Sequence, residues 1–319
     1  MAKLSMKKYQ ESKTIPELFE GFIREREAIG VSPNTIKSHR AKFRTVCCFY
    51  DLNILAEKIK QEDITNLILN LKAGTRLDGK VVVNKDVTIS SYLATVRAFF
   101  RWCGENGYCY IKVPPYKFET EPKEVYTNEE IKKLIKKPDM KKCSFCEYRN
   151  WVIVCFLLNS GCRSATLRNV LIKDLDFDSD MILFRHTKNR TNQYVPIGKE
   201  MKRILLEYLS IRNGKPDEYL FPSQDNIQLS ENALKLAIED YNHNRGVSKT
   251  SVHLFRHYYA KTYIQNGGDC FRLQKILGHK KIEMTVHYAN LYGVDTKRGF
   301  EEYSPLEVLS AQDKRIKMR

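Results

Sequence analysis

Residues 251–291 read "SVHLFRHYYAKTYIQNGGDCFRLQKILGHKKIEMTVHYANL". His253 and Arg256 stand three positions apart, one helical turn, so both side chains leave the same face of a helix. Gly267 closes that helix, a second runs from Asp269 to Gly278, and a third covers Thr285 to Leu291. Between the last two, His279 precedes Tyr288 by nine residues. A neutral imidazole beside a guanidinium suits a phosphate, because the arginine binds two nonbridging oxygens while the histidine handles a proton. The H-x-x-R spacing is common by chance, however, and a lone tyrosine nine positions after a histidine is ordinary packing. The meaning of the stretch must come from what surrounds it.

Moving toward the N-terminus, "NWVIVCFLLNS", Asn150 to Ser160, is a strongly apolar helix, and Arg163 follows it just after Gly161. Three short β-prone runs come next: Val170 to Leu175, Met181 to Arg185 and Gln193 to Ile197. They are separated by turn-rich "DFDSD" and "KNRTN", which predicts a small antiparallel sheet with Lys188 at a hairpin tip. Helices resume at Lys199 and at Ser230. Thr127 with Glu130 forms a capping box that opens this half of the chain. Ahead of it, Pro114, Pro115 and Pro122 lie among charges without helical periodicity, so residues 111–125 read as a linker.

Residues 12–110 read as a helical domain. Thr14 and Glu17 form a capping box with Pro16 in the first turn, and Leu18, Phe19, Phe22 and Ile23 recur at helical spacing. In "SPNTIKSHRAKFRTVCCFYD", Ser32 caps and Pro33 takes the first helical position. Ile36, Phe43, Val46 and Tyr50 share one face there. Lys37, Arg40, Lys42 and Arg44 sit between them as candidate DNA-backbone contacts. Further helices fit Glu62 to Leu71 and Thr88 to Gly107.

With 319 residues, two domains with separate cores are expected. Lys plus Arg number 54 against 38 Asp plus Glu, a formal charge of +16 that calls for an anionic partner. The N-terminus lacks the apolar core of a secretory signal, and the longest apolar run, "WVIVCFLL", is far short of a bilayer span of roughly 20 residues. A soluble, cytoplasmic and nucleoid-associated protein with no membrane partner is expected. The nine cysteines are an odd number without an export signal, so they read as reduced thiols. Cys143 and Cys146 form a C-x-x-C with no second pair at finger-like spacing, and "DLDFDSD" reads as a solvated turn, so no metal site is expected.

Together, Gly161-x-Arg163, the hairpin Lys188, H-x-x-R-H at His253 to His257, L-G-H at Leu277 to His279, and Tyr288 resemble the tyrosine recombinases, the integrase group. The order and spacing agree from about residue 150 to 290, and "GVSPNTIKSHRAKFRTV" is similar to the helical core-binding domain of that family. The resemblance implies a mainly α fold with a small antiparallel sheet, arranged as a two-domain DNA clamp: a core-binding domain at 12–110 and an α/β catalytic domain at 126–295. It also implies a tail, 296–319, that docks on a neighbouring protomer. No arm-site domain is expected ahead of residue 12. One departure from the family pattern is Thr166, which stands where an acidic residue is common.

The family's chemistry maps onto this chain residue by residue. A phenol has a reference pKa of about 10, so Tyr288 attacks a phosphodiester only with help. Arg163 and Arg256 would clamp the nonbridging oxygens, His279 would add a hydrogen bond to the phosphate, and His253 would accept the tyrosine proton. Lys188 would protonate the departing 5′ oxygen, leaving a 3′-phosphotyrosine. His257 reads as a structural partner rather than a proton carrier. No cofactor, metal or ATP is needed. The expected partners are double-stranded DNA, a homo-tetramer on two sites, and accessory excision or DNA-bending proteins. A silent DNA-binding accessory protein of the same fold and a type IB topoisomerase are the alternatives.

Overall fold

A computed structural model describes residues 13–119, 124–185, 191–292, 304–307 and 309. The chain divides into two compact units between Glu121 and Pro122. The first holds α1 (Ile15–Ala28), α2 (Pro33–Cys47), α3 (Gln61–Ala73) and α4 (Asp86–Glu105). The capping boxes read from sequence form: the Thr14 N–H donates to Glu17 Oε2 at 2.8 Å while Glu17 N–H returns a bond to Thr14 Oγ1 at 3.4 Å. Ser32 caps α2 in the same way, its Oγ accepting from Thr35 N–H at 3.3 Å. Such caps are worth about 1 kcal/mol each.

α4 is the axis of this unit because its apolar residues cover more than one face; Ile89, Leu93, Val96, Phe99, Phe100, Trp102 and Cys103 are all buried. It packs against α1, α2 and α3. Phe19 stacks on Phe43 with centroids 3.8 Å apart, and Phe99 meets Phe19, Phe22 and Phe43 edge-on. The borders of the expected linker, 111–125, are packed. Val113 is buried in the first core with Arg97 Nε donating to its carbonyl at 2.9 Å, and Tyr126 is buried in the second.

The second unit contains α5 (Asn128–Ile135), α6 (Phe145–Ser160), α7 (Ser164–Arg168), a 3-10 turn at Ile172–Asp174, β1 (Leu175–Asp176), β2 (Met181–Phe184), β3 (Gln193–Pro196), α8 (Lys199–Arg212), α9 (Glu231–His243), α10 (Val252–Gln265), α11 (Cys270–Leu277) and α12 (Glu283–Tyr292). The fold is mainly α with a small antiparallel sheet, as expected. α6 is apolar all round and lies at the centre, packed by α5, α8, α9 and α10. Its start is five residues earlier than the apolar run suggests, because Ser144 caps it through Glu147 N–H at 3.1 Å.

The sheet pairs Leu175 with Ile182 and Ile182 with Val195, so that Ile182, Phe184 and Val195 point into the core. Most of the run Val170 to Leu175 is not strand. The Asp174 carboxylate accepts from Leu171 N–H at 2.9 Å and curls the chain into the 3-10 turn, leaving two residues to pair. Asp174 also takes Arg185 Nε at 2.6 Å, just past the end of β2. "DFDSD" is a solvated turn, with Asp176 accepting from Asp178 and Ser179 N–H. The hairpin tip, residues 186–190 with Lys188, lies outside the described residues. Among the described residues, no helix is long and apolar enough to cross a membrane.

Candidate active site

Two helix ends converge on one guanidinium. α6 stops at Gly161, whose φ of 58° is left-handed; a Cβ there would meet Tyr259 at 2.7 Å and Leu277 at 2.9 Å. The carbonyl of that glycine accepts from Arg256 Nη1 at 2.9 Å. α11 stops in the same way at Gly278, φ 63°, and the carbonyl of Leu277 accepts from Arg256 Nη2 at 2.9 Å. His279 Nε2 lies 2.7 Å from the same nitrogen. The G-x-R, L-G-H and H-x-x-R segments therefore meet at Arg256, which is buried on α10. A guanidinium has five N–H groups. Three are engaged here, leaving two for an anion.

Arg163 caps α7 through its backbone and is half-buried. Among the described residues, neither Arg163 nor Arg256 has an ion pair with a carboxylate. Thr166, buried, stands where an acid would. Burial and then the neighbouring Arg163 pull the Arg256 pKa down to about 10, and burial lowers that of Arg163. Two desolvated cations side by side suit an anion.

Tyr288 completes the cluster. Its ring packs with Ala260, Ile264, Leu273 and Leu277 and lies parallel to His279, centroids 6.3 Å apart. Its Oη is 3.0 Å from His257 Nδ1. Burial raises the phenol's pKa, while Arg256 and Arg163 pull it back. His253, assigned the proton from sequence, is exposed at the start of α10, and the imidazole bonded to the phenol is the one read as structural. His279 has both ring nitrogens engaged inside the chain, Nε2 by Arg256 and Nδ1 by Thr285 Oγ1 at 2.8 Å.

Residues 124–293 match the phage integrase family. The chain is a member of that family. A tyrosine recombinase XerA from Saccharolobus solfataricus is 29% identical over 283 residues, covering 86% of this chain and 88% of that protein. A probable integrase/recombinase of Acholeplasma phage L2 is 27% identical over 256 residues, 78% of this chain and 83% of the phage protein. The Tn1549 transposon integrase, solved with a circular intermediate DNA, shares the fold with a TM-score of 0.68 at 20% identity, covering 96% of this chain and all of that one (100%). A lambda integrase tetramer bound to a Holliday junction gives 0.68 at 16% identity, covering 88% and 78%.

The family is that of the tyrosine-type site-specific recombinases, DNA-binding enzymes of recombination and integration, and this chain is one of them. The basic positions of α2, in the first unit, are not equivalent. Lys37 and Arg44 are exposed, whereas Arg40 is held in ion pairs with Glu20 and Glu27, and Lys42 is half-buried beside His39. Sequence reading also passed over Thr285 and Gln193. Gln193 Nε2 ties β3 to α11 through the carbonyls of Lys275, at 2.8 Å, and Ile276, at 2.5 Å. Gln193 is revealed only by contact across distant segments, and Thr285 only by its bond to His279 six residues earlier.

Proposed function

We propose that this integrase-family chain cleaves and rejoins DNA at specific sites through a 3′-phosphotyrosine on Tyr288. The observation that carries the reading is a buried phenol held beside two arginines that have no carboxylate partner among the described residues. The Oη attacks phosphorus, the bond from phosphorus to the 5′ oxygen breaks, and Arg163 and Arg256 hold the charge that grows on the nonbridging oxygens. The phenol's proton passes to an imidazole, and the 3.0 Å contact favours His257 for this step over His253. His253, exposed on the same helix, is left to face the DNA phosphate. Lys188 supplies a proton to the 5′ oxygen, a task suited to an ammonium on a flexible stem. His279 acts by holding Arg256.

The ester conserves the phosphodiester's energy, so a 5′-hydroxyl from a second strand reverses the step without ATP. Side chains handle all the charge, and the scheme calls for no metal ion or other cofactor. Lys37, Lys42 and Arg44 belong to the DNA-backbone contacts of a core-binding domain at 12–110, while Arg40 stays with Glu20 and Glu27. The catalytic domain spans 126–295. Four copies act on two sites in the cytoplasm, with accessory excision or DNA-bending proteins setting direction. The tail, residues 296–319, docks on a neighbouring protomer, in keeping with the exposure of Leu306 and Leu309.

The test starts from selection of bound duplexes out of a randomised pool by the Tyr288→Phe protein. A nicked version of the selected duplex is then offered to both proteins. Wild type is expected to trap DNA covalently, and Tyr288→Phe to bind with equal affinity and trap none. Covalent trapping by the phenylalanine protein would displace Tyr288 as nucleophile. Binding without trapping by wild type would leave a silent accessory protein, and relaxation of a plasmid lacking the selected site would indicate a topoisomerase.

A further inference from the structure

Arg256 is held on its third engaged N–H by His279 Nε2, 2.7 Å away. A guanidinium donates and does not accept, so Nε2 presents its lone pair. Burial, with Arg256 and Arg163 next, draws the pKa of the His279 ring down to about 4, so at neutral pH the ring carries a single proton. That proton must then be on Nδ1. Nδ1 lies 2.8 Å from Oγ1 of Thr285, which accepts it. Thr285 is fully buried in the first turn of α12, and its own N–H is tied to the carbonyl of Ile282 at 2.8 Å.

We propose that Thr285 is a positioning residue for strand transfer: its hydroxyl fixes the tautomer of His279, and through that ring it aligns the guanidinium of Arg256 on the phosphate. The proposal rests on the reading above that Arg256 binds the scissile phosphate. Without the hydroxyl, the Nδ1 proton would be buried with no acceptor. Moving that proton to Nε2 would set it against an arginine N–H, so neither tautomer keeps both of the ring's bonds and the guanidinium loses its fixed partner. Thr285 and Tyr288 lie three residues apart on one helix, which puts them on the same face. The contact that orients the phosphate clamp therefore comes from the helix that carries the nucleophile.

The test removes only the hydroxyl. Thr285→Val keeps the shape of the side chain and Thr285→Ser restores the acceptor. On the nicked, selected duplex, the valine protein is expected to form the covalent adduct about tenfold more slowly than wild type, the consequence of removing one buried hydrogen bond. DNA affinity should not change, and the serine protein should return most of the rate. Nitrogen NMR on the full chain with labelled histidine, assigned through a His279→Gln protein, reads the tautomer without DNA. Wild type and Thr285→Ser are expected to carry the His279 proton on Nδ1 alone, and Thr285→Val to lose that single fixed tautomer. Should the valine protein not fold, Thr285→Ala provides the hydroxyl-free variant. A wild-type adduct rate in either hydroxyl-free protein, or an Nε2 proton in wild-type His279, overturns the proposal. If wild type traps no DNA, the phosphotyrosine reading fails, and the NMR arm still decides whether Thr285 governs His279.

Discussion

His279 shows how one residue's surroundings set its role. A histidine one turn from a tyrosine-bearing helix could be a proton carrier, but beside two guanidiniums and out of water it cannot hold a second proton, and its pKa falls to about 4. This has a consequence for stability. In the unfolded chain the ring titrates near 6.5. As pH falls from about 6.5 to about 4, the unfolded state takes up a proton that the folded state refuses, so stability is full above this window and declines through it. The effect should be of the order of 1–3 kcal/mol. His279→Gln is expected to flatten the decline in Tm over that window relative to wild type. Parallel curves for the two proteins would mean that the ring is charged, or exposed, in the folded state. His39, whose pKa burial also lowers, contributes equally to both proteins and drops out of the difference. Arg163, Arg256, His279 and Tyr288, which the fold brings together, could be picked out along the chain because their combination resembles the family pattern. Which imidazole lies against the phenol could not be read, because the placement of one helix on another decides that Tyr288 meets His257.

Helix ends carry the site's geometry, and they were the most legible part of the fold. Thr14, Ser32, Thr127 and the glycines at 161 and 278 mark their boundaries by chemistry that acts within four residues. The expected strand from Val170 to Leu175 was less legible, because a β-prone composition does not reveal that Asp174 will bond back to Leu171 and on to Arg185. Gly161 is where element and site coincide. Gly161→Ala imposes a left-handed backbone on a residue with a side chain and drives a Cβ against Tyr259 and Leu277. It is expected to cost about 1–3 kcal/mol in chemical denaturation. Because the carbonyl that holds Arg256 must shift with it, adduct formation should fall by about tenfold or more beyond any reduction in folded protein. Gly246→Ala is the comparison, with φ 67° and nothing within 4 Å of the added carbon. It should cost about 1 kcal/mol and leave the adduct rate unchanged. Equal reductions in rate for the two variants would make Gly161 a matter of stability alone.

Charge belongs to the whole molecule, since an excess of +16 is felt by DNA before any one side chain makes contact. Each phosphate neutralised by the protein releases condensed counterions, so the logarithm of affinity should fall steeply and linearly with the logarithm of salt concentration. Individual cations need not contribute equally to that slope. Lys37 and Arg44 are exposed on α2, whereas Arg40 is already matched by Glu20 and Glu27. Lys37→Ala and Arg44→Ala should each reduce the slope by about one unit, because one phosphate fewer is neutralised. Arg40→Ala should leave the slope near that of wild type, because an arginine that stays with its two glutamates displaces no counterion from DNA. Titrations of the Tyr288→Phe protein with the selected duplex over a series of salt concentrations would measure the parent slope and those of the three alanine variants. A flat response in the parent protein would remove the basic face from DNA altogether. A full unit of slope removed by Arg40→Ala would mean that its ion pairs open on binding and that the glutamates hold the arginine only until a phosphate arrives.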